Sequence, residues 1–98
     1  MVKPLEDSLA GRLAARFAER VMNAAALPPA RAADVQESCQ MSREGQLLRL
    51  TCTITGTTHE CDWAGSEGAA TDLVNEAADD TASLITRTPH YAWLRRAR

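Results

Sequence analysis

Long apolar runs are absent from this chain. No stretch of its 98 residues is apolar and long enough to cross a bilayer. The N-terminus lacks the charged, apolar and small-residue order of a secretory signal. A cytoplasmic protein with no membrane partner is the expectation. Lysine is nearly missing, since the basic residues are one Lys and ten Arg. Together with the abundant Ala, that bias reads as a GC-rich coding sequence, hence a bacterial or phage source. Cysteines number three, and an odd count argues against a secreted disulfide scaffold. No basic residue lies between Arg49 and Arg87, yet Glu60, Asp62, Glu67, Asp72, Glu76, Asp79 and Asp80 do. The net charge of −2 thus hides an acidic middle and a basic tail, Arg87, Arg95, Arg96 and Arg98. That distribution argues against broad nucleic-acid binding and leaves room for a local basic patch.

Catalytic signatures are missing too. There is no Gly-x-Ser-x-Gly, no phosphate loop and no His-Glu-x-x-His. Cys39, Cys52, Cys61 and His59 have the composition of a zinc set. However, no Cys-x-x-Cys occurs, and His59-x-Cys61 is not a usual ligand spacing. The expectation is no catalysis, no metal and no cofactor. His59 reads as a hydrogen-bonded residue at the rim of the core.

What is present is organised around one stretch, residues 46–64. Leu48, Leu50, Cys52 and Ile54 alternate with Arg49, Thr51 and Thr53. His59, Cys61 and Trp63 then alternate with Thr58, Glu60 and Asp62. Period two in both runs marks two strands with one buried face. Gly56-Thr57 between them fits a two-residue type II′ loop. That loop would set Cys52 against Cys61, Ile54 against His59 and Leu50 against Trp63. Cys52 and Cys61 would then sit at a closely spaced, non-hydrogen-bonded pair, read as two small buried hydrophobes.

Residues 4–26 read as a first helix, with Pro4 in its first turn. Leu13, Phe17 and Val21 form its apolar stripe, and Arg12, Arg16 and Arg20 lie on the opposite face. Pro28-Pro29 stops it. Residues 30–43 admit a short helix from Pro29 or a strand; a strand over about 36–42 is preferred, with a loop at residues 43–46. Residues 66–87 read as a second long helix, N-capped by Ser66. Ala70, Leu73, Val74, Ala77, Thr81, Leu84 and Ile85 form its apolar face. Thr88-Pro89 opens a short terminal helix over 90–97. The order α-β-β-β-α, plus a short C-terminal helix, predicts one two-layer α+β domain. Its three-stranded antiparallel meander is covered on one face by two helices. The other sheet face is polar, from Gln36, Ser38, Gln40, Arg49, Thr51, Thr53, Thr58, Glu60 and Asp62.

The C-terminal segment is the candidate partner-binding site. Tyr91, Trp93, Arg95 and Arg96 bring together the residue types enriched at binding hot spots. The segment follows a proline break and reads as lying outside the two-layer core. Asp72, Glu76 and Asp79 would flank it as an acidic surface. Closure of the core by Trp93 and Leu94 is the structural alternative. Opposite charges on neighbouring surfaces also suit a homodimer.

The element order is shared with double-stranded-RNA-binding domains, but Ser66-Glu67-Gly68-Ala69 lacks their phosphate-binding lysines. Leu47-Leu48-Arg49-Leu50-Thr51 and Asp72-Leu73-Val74 are similar to runs in the YbaB-like nucleoid proteins. That resemblance implies a dimeric DNA binder and transfers no residue role. In size and composition the chain resembles phage-encoded inhibitors, anti-CRISPR proteins among them. The favoured expectation is a small non-enzymatic regulatory protein, of inhibitor or adaptor type, that occupies a larger protein partner. The alternative is a YbaB-like DNA-binding dimer.

Overall fold

The computed structural model describes residues 3–4, 7–63 and 65–96. Leu5, Glu6, Ala64 and Ala97, which fall in the expected first helix, hairpin end and terminal helix, and Arg98 of the basic tail lie outside the described residues. The chain runs β1 (Lys3–Pro4), α1 (Asp7–Ala24), a 3-10 turn (Pro29–Arg31), α2 (Ala32–Ser38), β2 (Cys39–Glu44), β3 (Leu47–Cys52), β4 (Thr57–Asp62), α3 (Glu67–Arg87) and a 3-10 segment (Pro89–Arg95). The sheet order is β1-β2-β3-β4, every neighbour antiparallel. Two helices and an antiparallel meander make the expected α+β architecture.

α1 begins at Asp7 rather than Pro4, because Lys3–Pro4 pairs with the outer edge of β2 opposite Ser42 and Arg43. An edge position suits proline, which has no N–H to offer a ladder. α3 starts where its cap dictates: the Ser66 hydroxyl accepts a hydrogen bond from the Gly68 N–H at 3.1 Å. This occupies one of the N–H groups that a helix start leaves bare.

Both readings of residues 30–43 hold in part. The helix begins with Pro29 at its first turn and runs to Ser38, and the strand follows from Cys39. Gln36 and Ser38 are therefore helical and leave the polar sheet face. Glu37 is an exposed helix residue.

The hairpin register differs from expectation. Cys52 pairs with Thr57, Leu50 with His59 and Leu48 with Cys61. The loop has four residues, Thr53 to Gly56, closed by the Gly56 N–H donating to the Cys52 carbonyl at 2.8 Å. Gly56 does hold a positive φ of 72°, but as the last loop residue. The two-residue Gly turn is instead Gly45-Gln46, between β2 and β3, with Gly45 at φ 59°. The pairing moved by four positions, an even number, so no side chain changed face.

The core lies between that face and the helices. Leu48, Leu50 and Cys52 meet Leu13, Phe17 and Val21 of α1 and Ala70, Leu73, Val74, Ala77 and Ile85 of α3, all buried. α1 and α3 run side by side in the same direction. Arg12 reaches Glu67 at 2.6 Å, the Arg16 Nε donates to Asn75 Oδ1 at 3.0 Å, and Arg20 grips both oxygens of Asp79 at 2.7 and 3.0 Å. These residues at i, i+4 and i+8 form one ridge on α1, so the face expected to be free in solvent is a zipper between helices. Exposed pairs of this kind contribute little stability and mainly set the alignment.

Candidate functional site

The C-terminal corner is built by two arginines. Arg31, at the end of the first 3-10 turn, is 8% exposed. Its Nη2 donates to the Trp93 carbonyl at 3.1 Å and the Arg96 carbonyl at 3.2 Å. Its guanidinium lies 5.2 Å from the Trp93 ring centroid, a cation–π distance, and 3.6 Å from Asp34. Arg95 folds back so that its Nη2 donates to the Ile85 and Thr86 carbonyls, at 2.7 Å for Ile85. It thereby supplies donors and positive charge at the C-terminal end of α3. Leu94 is wholly buried in the core. The segment is thus part of the core, contrary to the reading of an element outside it. The proline at 89 redirects the chain without releasing it.

These contacts divide the expected site. Arg95 is committed to α3, and Tyr91 is half-buried against the core, edge to face with His90 at 5.1 Å. Trp93 remains 41% exposed, the one large apolar side chain so exposed among the described residues. The Arg96 side chain is exposed beside it, only its carbonyl being taken by Arg31. Asp79 is gripped by Arg20, which holds its carboxyl below the usual range. Asp72 and Glu76 are exposed but lie toward the other end of α3. From Glu76 to the helix end at Arg87 is 11 residues (87 − 76), about 16 Å along the axis. The structure therefore keeps Trp93 and Arg96 together and sets the acidic residues apart.

Arg31 was absent from the expected site residues. Its signal was faint: a single Arg just after Pro28-Pro29, where a helix end needs polar closure.

The acidic residues gather instead beside β4. Burial, then Asp62, Asp72 and Glu76, push the Cys61 thiol up from its ordinary value. On the same flank the His59 Nε2 meets Asp80 Oδ2 at 2.7 Å, and its Nδ1 is buried without a partner. A carboxylate only accepts, so Nε2 is the donor of this bond. His59 is the rim histidine expected of it.

Cys52 faces Cys39 across β2 and β3, not Cys61. The Thr53 N–H donates to the Ser38 carbonyl, which makes the next pair, Cys39 and Cys52, the closely spaced non-hydrogen-bonded kind. All three cysteines are free thiols. Burial, then Cys52, push Cys39 up to about 12. Among the described residues no three His, Cys, Asp or Glu side chains converge as a metal-ligand group, and no helix is long and apolar enough to cross a membrane.

No protein-family model, curated protein or solved structure matches the chain.

Proposed function

We propose that this chain is a small non-enzymatic binding protein that regulates a larger protein by occupying it, with Trp93 and Arg96 as anchors. One observation carries the reading. A large indole is left 41% exposed at a corner whose backbone is locked by a buried arginine. Trp and Arg dominate binding hot spots, and an anchor already held in place loses little entropy on binding. Exposing such a ring is unfavourable unless something covers it. Tyr91 widens the same corner. Arg95 serves it indirectly by fixing the end of α3.

Matched affinity capture from cells of the source organism tests this, with wild-type, Trp93→Ala and Arg96→Glu proteins as baits. A partner retained by the wild type and lost by both variants is expected. A protein captured equally by all three would overturn the assignment of the surface. Duplex DNA bound tightly with a steep loss in salt would overturn the class of partner in favour of a YbaB-like reading.

A further inference from the structure

β4 is the last strand of the sheet, and among the described residues no strand pairs with its outer side. Its backbone pattern can be read from one bond. The Trp63 N–H donates to the Gln46 carbonyl, so Cys61, His59 and Thr57, two residues apart, also turn their N–H and C=O toward β3. Thr58, Glu60 and Asp62 therefore turn theirs outward. The open edge presents a ready ladder for one more strand.

A groove opens beside one end of this edge, between β4 and α3. It forms a cavity of about 400 Å³ lined by Thr57, Thr58, His59, Asp80, Ser83, Leu84 and Arg87. Toward the other end of β4, the charges of Asp62, Asp72 and Glu76 act on the Cys61 thiol, Asp62 from the polar face of the strand and Asp72 and Glu76 from α3. Asp72 and Glu76 are one turn apart on α3. All three carboxylates are exposed, and no bond or ion pair of the described residues engages them. The ridge beside them is different, since Arg12 and Arg20 neutralise Glu67 and Asp79.

Charge selects among occupants. A second copy pairing antiparallel through the same edge would bring Asp62 close to carboxylates of its own kind, where like charges repel, although Glu60 is partly neutralised by Arg49 at 2.7 Å. A lysine- or arginine-bearing segment meets complementary charge instead. We propose that the β4 edge and the β4–α3 groove bind an extended basic peptide segment, which adds as a further antiparallel or parallel strand. Its backbone bonds to Thr58, Glu60 and Asp62. At one end its cationic side chains lie on the face turned to α3, toward Asp72 and Glu76. An uncharged or hydroxyl side chain enters the cavity near Leu84, where Arg87 stands against a further cation and Asp80 is already engaged by His59. Main-chain bonds supply affinity and the alternate side chains supply selectivity. This surface is separate from the Trp93 corner.

The test uses capped seven-residue peptides alternating Lys with Val, Thr, Ile or Tyr, and matching peptides with Glu for Lys. Amide hydrogen exchange of the full chain is followed by NMR. The lysine peptides should slow exchange at Thr58, Glu60 and Asp62 by at least ~10-fold at saturation and leave His59 and Cys61 unchanged. The glutamate peptides should not bind. Asp72→Asn with Glu76→Gln should weaken binding roughly two- to tenfold, more at low salt. Methylating alternate peptide nitrogens should abolish binding in one frame and spare it in the other. Trp93→Ala should leave the affinity unchanged, which separates this result from the fate of the Trp93 surface. No binding by any lysine peptide at about 1 mM, protection away from β4, or loss of binding in Trp93→Ala would overturn the proposal.

Discussion

Replacing Arg31 by Ala should loosen the C-terminal corner, and the size of the effect follows from its contacts. Two carbonyls, of Trp93 and Arg96, accept bonds from its guanidinium. Bonds to a charged group are worth ~1.5–3 kcal/mol each. The cation–π contact adds ~0.5–1 kcal/mol. The Asp34 pair, at 3.6 Å with a half-exposed carboxylate, adds only a few tenths. Against these stands the Nε, buried without a partner, whose removal returns ~1–3 kcal/mol. The freed carbonyls can also reach water. The net loss should be ~2–4 kcal/mol, a large share of a stability expected at ~5–15 kcal/mol. Urea unfolding measures it as a fall in midpoint with an unchanged slope. Arg31→Lys should recover part of the loss, because one ammonium keeps the charge but not the planar fork. A change below about 0.5 kcal/mol in Arg31→Ala would refute the reasoning. Arg31 would then be a bystander, and the Trp93 corner would have no lock.

Leu50→Ala should cost ~3–5 kcal/mol because its side chain is wholly buried, whereas Leu47→Ala, half-buried on the other face, should cost well under half of that; urea midpoints decide, and similar values would mean the sheet faces are misassigned. Asp79→Asn tests the helix zipper through pH. Arg20 depresses the folded-state value of Asp79 below its ordinary 3.8, so its contribution is fully present above that value and lost as pH falls through the lower folded one. The variant should therefore be somewhat less stable than wild type at neutrality and show a shallower loss of thermal stability below about pH 4, so that the two curves converge in acid; parallel curves would remove the Arg20 pair from the account of alignment. Native alkylation should label Cys61 before Cys39 and Cys52, since only Cys61 is partly exposed. Asp72→Asn with Glu76→Gln should speed Cys61 labelling by removing the charges that raise its thiol; unchanged labelling would mean that these carboxylates do not act on it.

The α+β architecture was legible because two periodicities were. Leu48, Leu50 and Cys52 keep their buried face in any register displaced by an even number of residues, so the fold survived an error in pairing. The error itself arose from loop length. Gly56 carries the positive φ expected, but glycine marks a conformation and not the position of that conformation in its loop. Residues 30–43 divided between helix and strand because α2 has only seven residues, two turns, too few to impose a clear period of 3.6. The candidate site was legible in composition and not in contact. Trp93 and Arg96 stand where a binding anchor can act. Arg95 and Asp79, equally polar in sequence, are consumed by α3 and α1. No local pattern separates those roles, because the partners of Arg31, Arg20 and Arg95 are set by tertiary packing across tens of residues.

Whether the chain works through the Trp93 corner is tested most directly by fluorescence. Trp63→Phe leaves Trp93 as the sole indole of the chain, and the captured partner is titrated into that variant. Emission should move to shorter wavelength and become resistant to acrylamide as the exposed ring is covered. Unchanged emission at saturating partner would contradict the proposed function.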